Sequence, residues 1–514
     1  MMELRLMKES IQMEQPAGAG QSQAVVEGEI TLPGGLREEA HVLAADGMAV
    51  IENVEAMQER ASMTGKVVFH ALYTQGDPGK VSAIEASADF THLMDLPGAA
   101  PKSQCQLDAV VEHVEASARG GRMTMRAILK ISGRALSQQP VEALTGLTGV
   151  EGVELKTRQI DLKRTVSSGT GDVLLREEFE LPAGMEIRET LYATALPQVT
   201  EVTGGLGRVG LSGTVQLEAV HASNLPGKPV VITRHTVPFE QSVDLAGESG
   251  DTLEGRVRVK DVAVVSQDAG EGDRTLRAEV LLGLTGWSDR KETVTVLSDA
   301  YTTDGDDLSL TTRDVNCRVE DNSTQVAESG KVMLMLPEGS PAVRGVLCGF
   351  VSPVVTGREQ LGGRLTVEGM LEITLLYMTD DSEAPVTVFQ EEPFKLTFAA
   401  QAGEDDFVTL TAGDVDVTAI TSDRVEMKYI MHLTVCGMQT ETVRLVTDAQ
   451  TVSAEEPDGS IVLYFTQPGE TLWDIARRYR VPAQSIRELN PELSGEPKTG
   501  QGVVVWHRCA QECG

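Results

Sequence analysis

Leu365, Val367, Gly369, Leu371, Ile373, Leu375 and Tyr377 alternate with Arg364, Thr366, Glu368, Met370, Glu372 and Thr374, the period-two pattern of a half-buried strand. The same phase recurs in Met63, Gly65, Val67, Phe69, Ala71 and Tyr73, and again in Leu211, Gly213, Val215, Leu217 and Ala219. A second alternating strand places Val425, Met427, Tyr429, Met431, Leu433 and Val435 inward. It is matched by Met123, Met125, Ala127, Leu129 and Ile131 and by Leu276, Ala278, Val280, Leu282 and Leu284. Strands joined by turns without intervening helical periods predict an antiparallel β-sandwich in each copy. Glycine on an inward face predicts a bulge or a close backbone approach.

These strands belong to a repeat of about 150 residues. Leu32-Pro33-Gly34-Gly35, Leu181-Pro182-Ala183-Gly184 and Leu336-Pro337-Glu338-Gly339 each end a short apolar strand. Next come the strand glycines Gly65, Gly213 and Gly369, then Phe90, Phe239 and Phe394, and last Gly133, Gly286 and Gly437, always in the same order. The anchors predict three β-domains over 24–155, 170–302 and 325–450, with an N-terminal tail over 1–23 and a linker over 451–460.

From residue 461 the period changes. Leu472, Ile475, Ala476 and Tyr479 fall at i, i+3, i+4 and i+7, one face of a helix beginning near Thr471. Pro482 suits the first turn of a second helix carrying Ile486 and Leu489. Apolar strands over 461–466 and 503–506 flank the pair, so the order is β-α-α-β. Its expected core is Leu472, Ile475, Ala476, Ile486 and Leu489, and 507–514 is a tail.

Two resemblances follow from these residues. The stretch 363–377 with Glu392-Pro393-Phe394 resembles the SPOCS domain, a repeated domain of clostridial spore-coat morphogenesis proteins; the first copy lacks the proline before Phe90. Tyr464, the run Gln467-Pro468-Gly469-Glu470-Thr471-Leu472-Trp473, Ile475-Ala476, Tyr479, Leu489-Asn490-Pro491 and Gly500-Gln501 resemble the LysM module, with Glu470 where Asp is commoner. LysM modules generally bind N-acetylglucosamine-containing glycans between two loops, and a LysM fold can also be recruited to bind protein. By resemblance the loops are 467–473 and 490–497, and the contact residues Pro468, Gly469, Glu470, Thr471, Leu472, Trp473, Asn490, Pro491 and Glu492. SPOCS repeats followed by LysM are the arrangement of the SipL family. That resemblance implies a spore-coat adaptor in the mother-cell cytoplasm, at the forespore surface, whose LysM recruits a SpoIVA-like coat ATPase; the alternative is a peptidoglycan-binding protein of the spore or cell envelope.

Composition narrows the chemistry. The chain has 514 residues, 44 basic against 77 acidic, and a formal charge of −33, which disfavours phosphate backbones and anionic lipid. Between 461 and 506, Arg477, Arg478, Arg480, Arg487 and Lys498 balance Glu470, Asp474, Glu488, Glu492 and Glu496. The surplus therefore lies in the repeats, an acidic body with a neutral tip. Glu3, Lys8, Glu9 and Glu14 interrupt any signal peptide, and no run of 18 apolar residues predicts a membrane span. Six cysteines are too sparse for a disulfide scaffold. His507, Cys509 and Cys513 have ligand-like spacing without a fourth ligand nearby, so no metal is predicted. The letters of a dinucleotide fingerprint at Gly205, Gly207 and Gly210 precede a strand instead of a helix, which removes the phosphate-binding geometry. Acidic loops at Asp380-Asp381 and Glu404-Asp405-Asp406 read as a solvated rim. No HExxH pair or Gly-x-Ser-x-Gly elbow is present, and neither an enzyme nor a cofactor is expected.

Overall fold

The computed structural model describes residues 4–33, 39–181, 185–205, 207–225, 227–270, 273–453, 461–493 and 495–506. The first copy comprises β1 (Arg5–Thr31), β2 (Ala40–Met57), β3 (Arg60–Gln75), β4 (Asp77–Asp95), β5 (Gln104–Arg119) and β6 (Arg122–Thr148). They form two antiparallel sheets in the orders β1-β6-β5 and β2-β3-β4. The second copy runs through β7 (Val153–Glu180), β8 (Ile187–Gly205), β9 (Arg208–Leu225), β10 (Lys228–Asp244), β11 (Ala246–Gly247), β12 (Thr252–Gly270) and β13 (Asp273–Thr302). The third has β14 (Asp307–Met335), β15 (Gly345–Leu361), β16 (Arg364–Met378), β17 (Val386–Phe398), β18 (Phe407–Ala419) and β19 (Arg424–Val452). Their sheets repeat the arrangement: β11-β7-β13-β12 with β8-β9-β10, and β14-β19-β18 with β15-β16-β17. The mainly β class expected from the pattern is observed, and the alternating side chains face one another across each pair of sheets, as in the cluster of Met63, Phe69, Met125 and Leu129.

The recurring glycines have a common cause. Gly65, Gly213 and Gly369 pair with Phe90, Phe239 and Phe394 on the next strand. On the other side the ladder slips by one residue, between Ile51 and Asn53, Val199 and Glu201, and Val355 and Gly357. A Cβ at the three glycines would lie 2.3, 1.9 and 2.0 Å from the carbonyl oxygens of Val50, Gln198 and Val354. The bulge pushes backbone into the space a side chain would need, as the sequence suggested.

The first and last strands of each copy extend beyond its sandwich. What the sequence suggested was a tail over 1–23 is strand from Arg5, paired with β6 from Arg5↔Thr148 to Thr31↔Arg122. The segments between the expected domains likewise lie largely within β7 and β14. These ribbons pack as a stem around Met13, Val141, Leu162, Val296, Val315 and Val443, continued by Leu147, Leu297, Leu308 and Val446. At the opposite side of the assembly Leu72, Val220 and Leu376, each seven residues after its strand glycine, meet in one buried cluster. Equivalent residues converge, so the copies are disposed around a common axis.

A buried ionic network also joins them. Arg318 donates to Glu14, to Asp289 at 2.7 Å and to Thr165 at 3.0 Å, while Lys163 donates to Glu254 at 2.8 Å and to Asp321. The carboxylates of Glu254, Asp289 and Asp321 approach within 4.8 Å of one another. Lys163 and Arg318 already neutralise them, which makes this a structural network. Among the described residues, no helix is long and apolar enough to cross a membrane.

Candidate functional site

The terminal module consists of β20 (Ile461–Phe465), α1 (Leu472–Tyr479), α2 (Ala483–Leu489) and β21 (Gly502–Trp506), with β20 and β21 antiparallel. The helix begins next to Thr471, as expected, and Thr471 caps it: its backbone N–H donates to Asp474 at 2.8 Å while its hydroxyl accepts from the Asp474 N–H, a reciprocal box. Leu472, Ile475, Ala476 and Ile486 are buried with Val481, Val503 and Val505. Leu489 departs from expectation and is 43% exposed. The next residue takes the inward position instead. Asn490 donates to the carbonyls of Ile486 and Val504 and accepts from the Val504 N–H, all at 2.7 Å, locking α2 onto β21.

The residues singled out from sequence therefore have different placements. Pro468, Gly469, Pro491 and Glu492 are exposed, and Gly469 turns at φ +80°. Leu472 and Asn490 are buried. Glu470 accepts from the Gln467 N–H and the Tyr464 hydroxyl and pairs with Arg478; the Gln467 N–H foremost holds its carboxyl below the usual range. Across the two loops, the Glu496 carboxylate accepts the Leu472 N–H at 2.6 Å.

Trp473 turns toward the body. Its indole donates to Asp299 at 2.7 Å, and its ring meets Tyr301 edge-on at 4.9 Å. Arg477 joins Asp299 at 2.7 Å, and the Tyr301 hydroxyl donates to the Val481 carbonyl at 2.8 Å. The buried Arg480 donates to both oxygens of Thr302 and to the Gly305 carbonyl. The module is seated on the end of β13 by polar and aromatic contacts together.

A feature that sequence reasoning missed lies on the outer face of the module's sheet. Ile461, Leu463, Phe465 and Trp506 are 74%, 58%, 58% and 50% exposed. Ile461 stands opposite Trp506, and Gly502 opposite Phe465 leaves room for the Leu463 and Phe465 side chains to close over it. The signal was present: β20 is apolar in both phases, whereas a strand covered on one side alternates. An exposed row of large apolar groups commonly marks an interaction surface.

Other candidates resolve structurally. Gly205 pairs with Arg208 across the β8–β9 turn, so the glycine-rich letters mark a hairpin. Asp380, Asp381, Glu404 and Asp405 form the solvated rim expected, but Asp406 is buried and accepts from the Gly403 and Met438 N–H groups. Its role is to hold a loop. Cys105, Cys317, Cys348 and Cys436 are free, and burial pushes the Cys317 thiol up to about 11. His507, Cys509 and Cys513, with the rest of the tail over 507–514 and residues 454–460 of the linker, lie outside the described residues.

Comparison with known families gives two matches. Residues 40–119 match the SPOCS domain of SipL, and residues 464–506 match the LysM domain. The first covers β2 to β5 of copy one, whereas the sequence reading found its strongest resemblance in copy three. No curated protein and no solved structure matches the chain. The two domains match those of a SipL-like protein and support a sporulation-related protein with a LysM module of the peptidoglycan-binding class. Both are non-catalytic domain families.

Proposed function

We propose that this protein is a non-enzymatic adaptor of spore-coat assembly. Its LysM module would recruit a SpoIVA-like coat protein to the forespore surface from the mother-cell side. The observation carrying this reading is the exposed row Ile461, Leu463, Phe465 and Trp506 on a module oriented by the body. Burying such apolar groups against a partner gains roughly 25 cal/mol per Å², and aromatic residues are frequent interface anchors. The loops that hold glycan in LysM modules offer less here, since the N–H groups of Gln467, Thr471, Leu472 and Asp474 already have partners inside the module.

Glycan binding is the second reading, supported by the LysM match itself. Phe465→Glu separates them. Loss of forespore localisation and of binding to the purified SpoIVA-like protein, with the module still folded by circular dichroism, is the expected result. Unchanged recruitment, together with saturable binding of a chitin oligosaccharide that Pro491→Lys abolishes, would replace the adaptor reading by the glycan one.

A further inference from the structure

Between the buried cluster at Leu72, Val220 and Leu376 and the stem, the three copies line a half-open cavity of about 670 Å³, within the range of small-molecule sites. All three copies line it, among them Ala45 and Gly47 from the first, Ala195 from the second, and Gly349 and Gly413 from the third.

The copies contribute unlike chemistry from like positions. Asp46, Thr194 and Phe350 each precede by five the bulge residue paired with the strand glycine, and all three line the cavity. His70, Glu218 and Thr374 each follow that glycine by five, and they line it too. A space left over from symmetric packing would not need this mixture. The Tyr192 ring lies 5.6 Å from His70 and 6.0 Å from Phe350, so aromatic faces border the carboxylates.

Charge then defines the ligand. Glu218 is paired with Arg234 at 2.7 Å, Glu372 with His113 at 2.9 Å and Glu112 with Lys130 at 3.8 Å. Among the described residues, two further lining carboxylates form no ion pair, although His70 and His432 act on their charges. Among the described residues Asp46, which is exposed to solvent, accepts the Gly47 N–H at 2.8 Å, with the His70 ring close enough to act on its charge. Asp414, in the left-handed region at φ +50° on the β18 bulge, makes no hydrogen bond or ion pair among the described residues. Unpaired carboxylates beside aromatic faces match an organic ammonium, which gains both Coulomb and cation–π attraction.

We propose that the cavity on the common axis is a binding site for an aliphatic polyamine, with Asp46 and Asp414 receiving its ammonium groups and Tyr192 and Phe350 bordering its chain. Ligand binding there would tie the three copies together.

Titration calorimetry of the full chain with spermidine at about 150 mM salt tests this, because surface attraction to an acidic protein is screened at that strength. One saturable site per chain is expected. Asp46→Asn and Asp414→Asn should each weaken it at least tenfold, and Thr194→Phe should abolish it by filling the cavity. The third copy already carries phenylalanine at that position, and circular dichroism with thermal melting confirms that each variant is folded. Absence of a saturable heat would overturn the proposal. So would binding that Thr194→Phe leaves intact, which is surface charge alone, or displacement of spermidine by equimolar magnesium.

Discussion

The indole N–H of Trp473 donates to the carboxylate of Asp299 at 2.7 Å, joining α1 to the end of β13 across 174 residues of sequence. The same carboxylate receives Arg477, and the ring shields Tyr301, whose hydroxyl reaches back to Val481. Each side of the contact thus satisfies groups of the other. The module's exposed sheet is consequently presented in a defined direction, and a partner gripping it is placed in a fixed relation to the repeats.

Trp473→Ala should undock the module without unfolding either part. The substitution removes an aromatic contact and a charge-assisted hydrogen bond, together about 2–4 kcal/mol. Hydrogen–deuterium exchange is expected to rise at Tyr301, Thr302 and along α1 while the sandwich strands keep their protection. Unchanged exchange at Tyr301 would count against the contact as the anchor. If recruitment falls in this variant while the isolated module still binds, orientation is what Trp473 supplies.

The sandwich cores were legible because each alternating strand buries its apolar face against its own copy, so the period survives in the local sequence. Gly213 and Phe239 were legible as anchors for a similar reason: one bulge needs both. The stem was not. In β1 only Ile11 and Met13 are apolar and buried before the register shift that follows Pro16, and the adjacent Glu14 is buried against Arg318 from another copy. A partner 304 residues away leaves no local period. Leu489 and Asp406 were misread because amide and carboxylate groups, at Asn490 and at Asp406 itself, took interior positions that an apolar pattern cannot reveal. The module's core was read from helical spacing, whereas its exposed face needed the observation that no described residue covers the outer face of β20.

Gly369→Ala should cost about 2–4 kcal/mol, since the new Cβ would sit 2.0 Å from the Val354 carbonyl oxygen and must displace the β15 backbone. Gly171→Ala provides the control: nothing lies within 4 Å of its Cβ position, so a change within about 0.5 kcal/mol is expected. Urea unfolding of the two variants checks the pair. Equal losses would show that glycine flexibility, and not the bulge, is what the anchor position requires.

Arg318→Met tests whether the ionic network couples the copies. It leaves Glu14 and Asp289, both buried, without their guanidinium, and stranding buried charge costs about 3–5 kcal/mol. Thermal melting should shift downward and broaden as the copies begin to unfold separately. A sharp transition at the original temperature would mean that the apolar stem alone holds them.

The network also sets a pH dependence with two opposite windows. Burial, reinforced by the neighbouring Asp321 carboxylate, pushes Glu254 from its usual 4.5 up to about 7, with Lys163 opposing. The folded chain therefore holds this proton more tightly than the unfolded one, so its stabilisation is complete below about 4.5 and is lost as the pH rises toward 7. Asp321 behaves in the opposite sense: burial works against its charge, but Arg318 and Lys163 outweigh it and hold the carboxyl well below the usual range. Its contribution is present above about 4 and disappears in stronger acid. Between pH 5 and 7 only the Glu254 slope operates within this pair. Glu254→Gln keeps a donor toward Asp321 and removes the titration, while Lys163 retains Asp321 and Asp289. The urea midpoint of the variant should lose the Glu254 part of the decline across pH 5–7 and exceed the parent's stability at pH 8 by about 1–2 kcal/mol. Parallel profiles for variant and parent would rule out Glu254 as the titrating group.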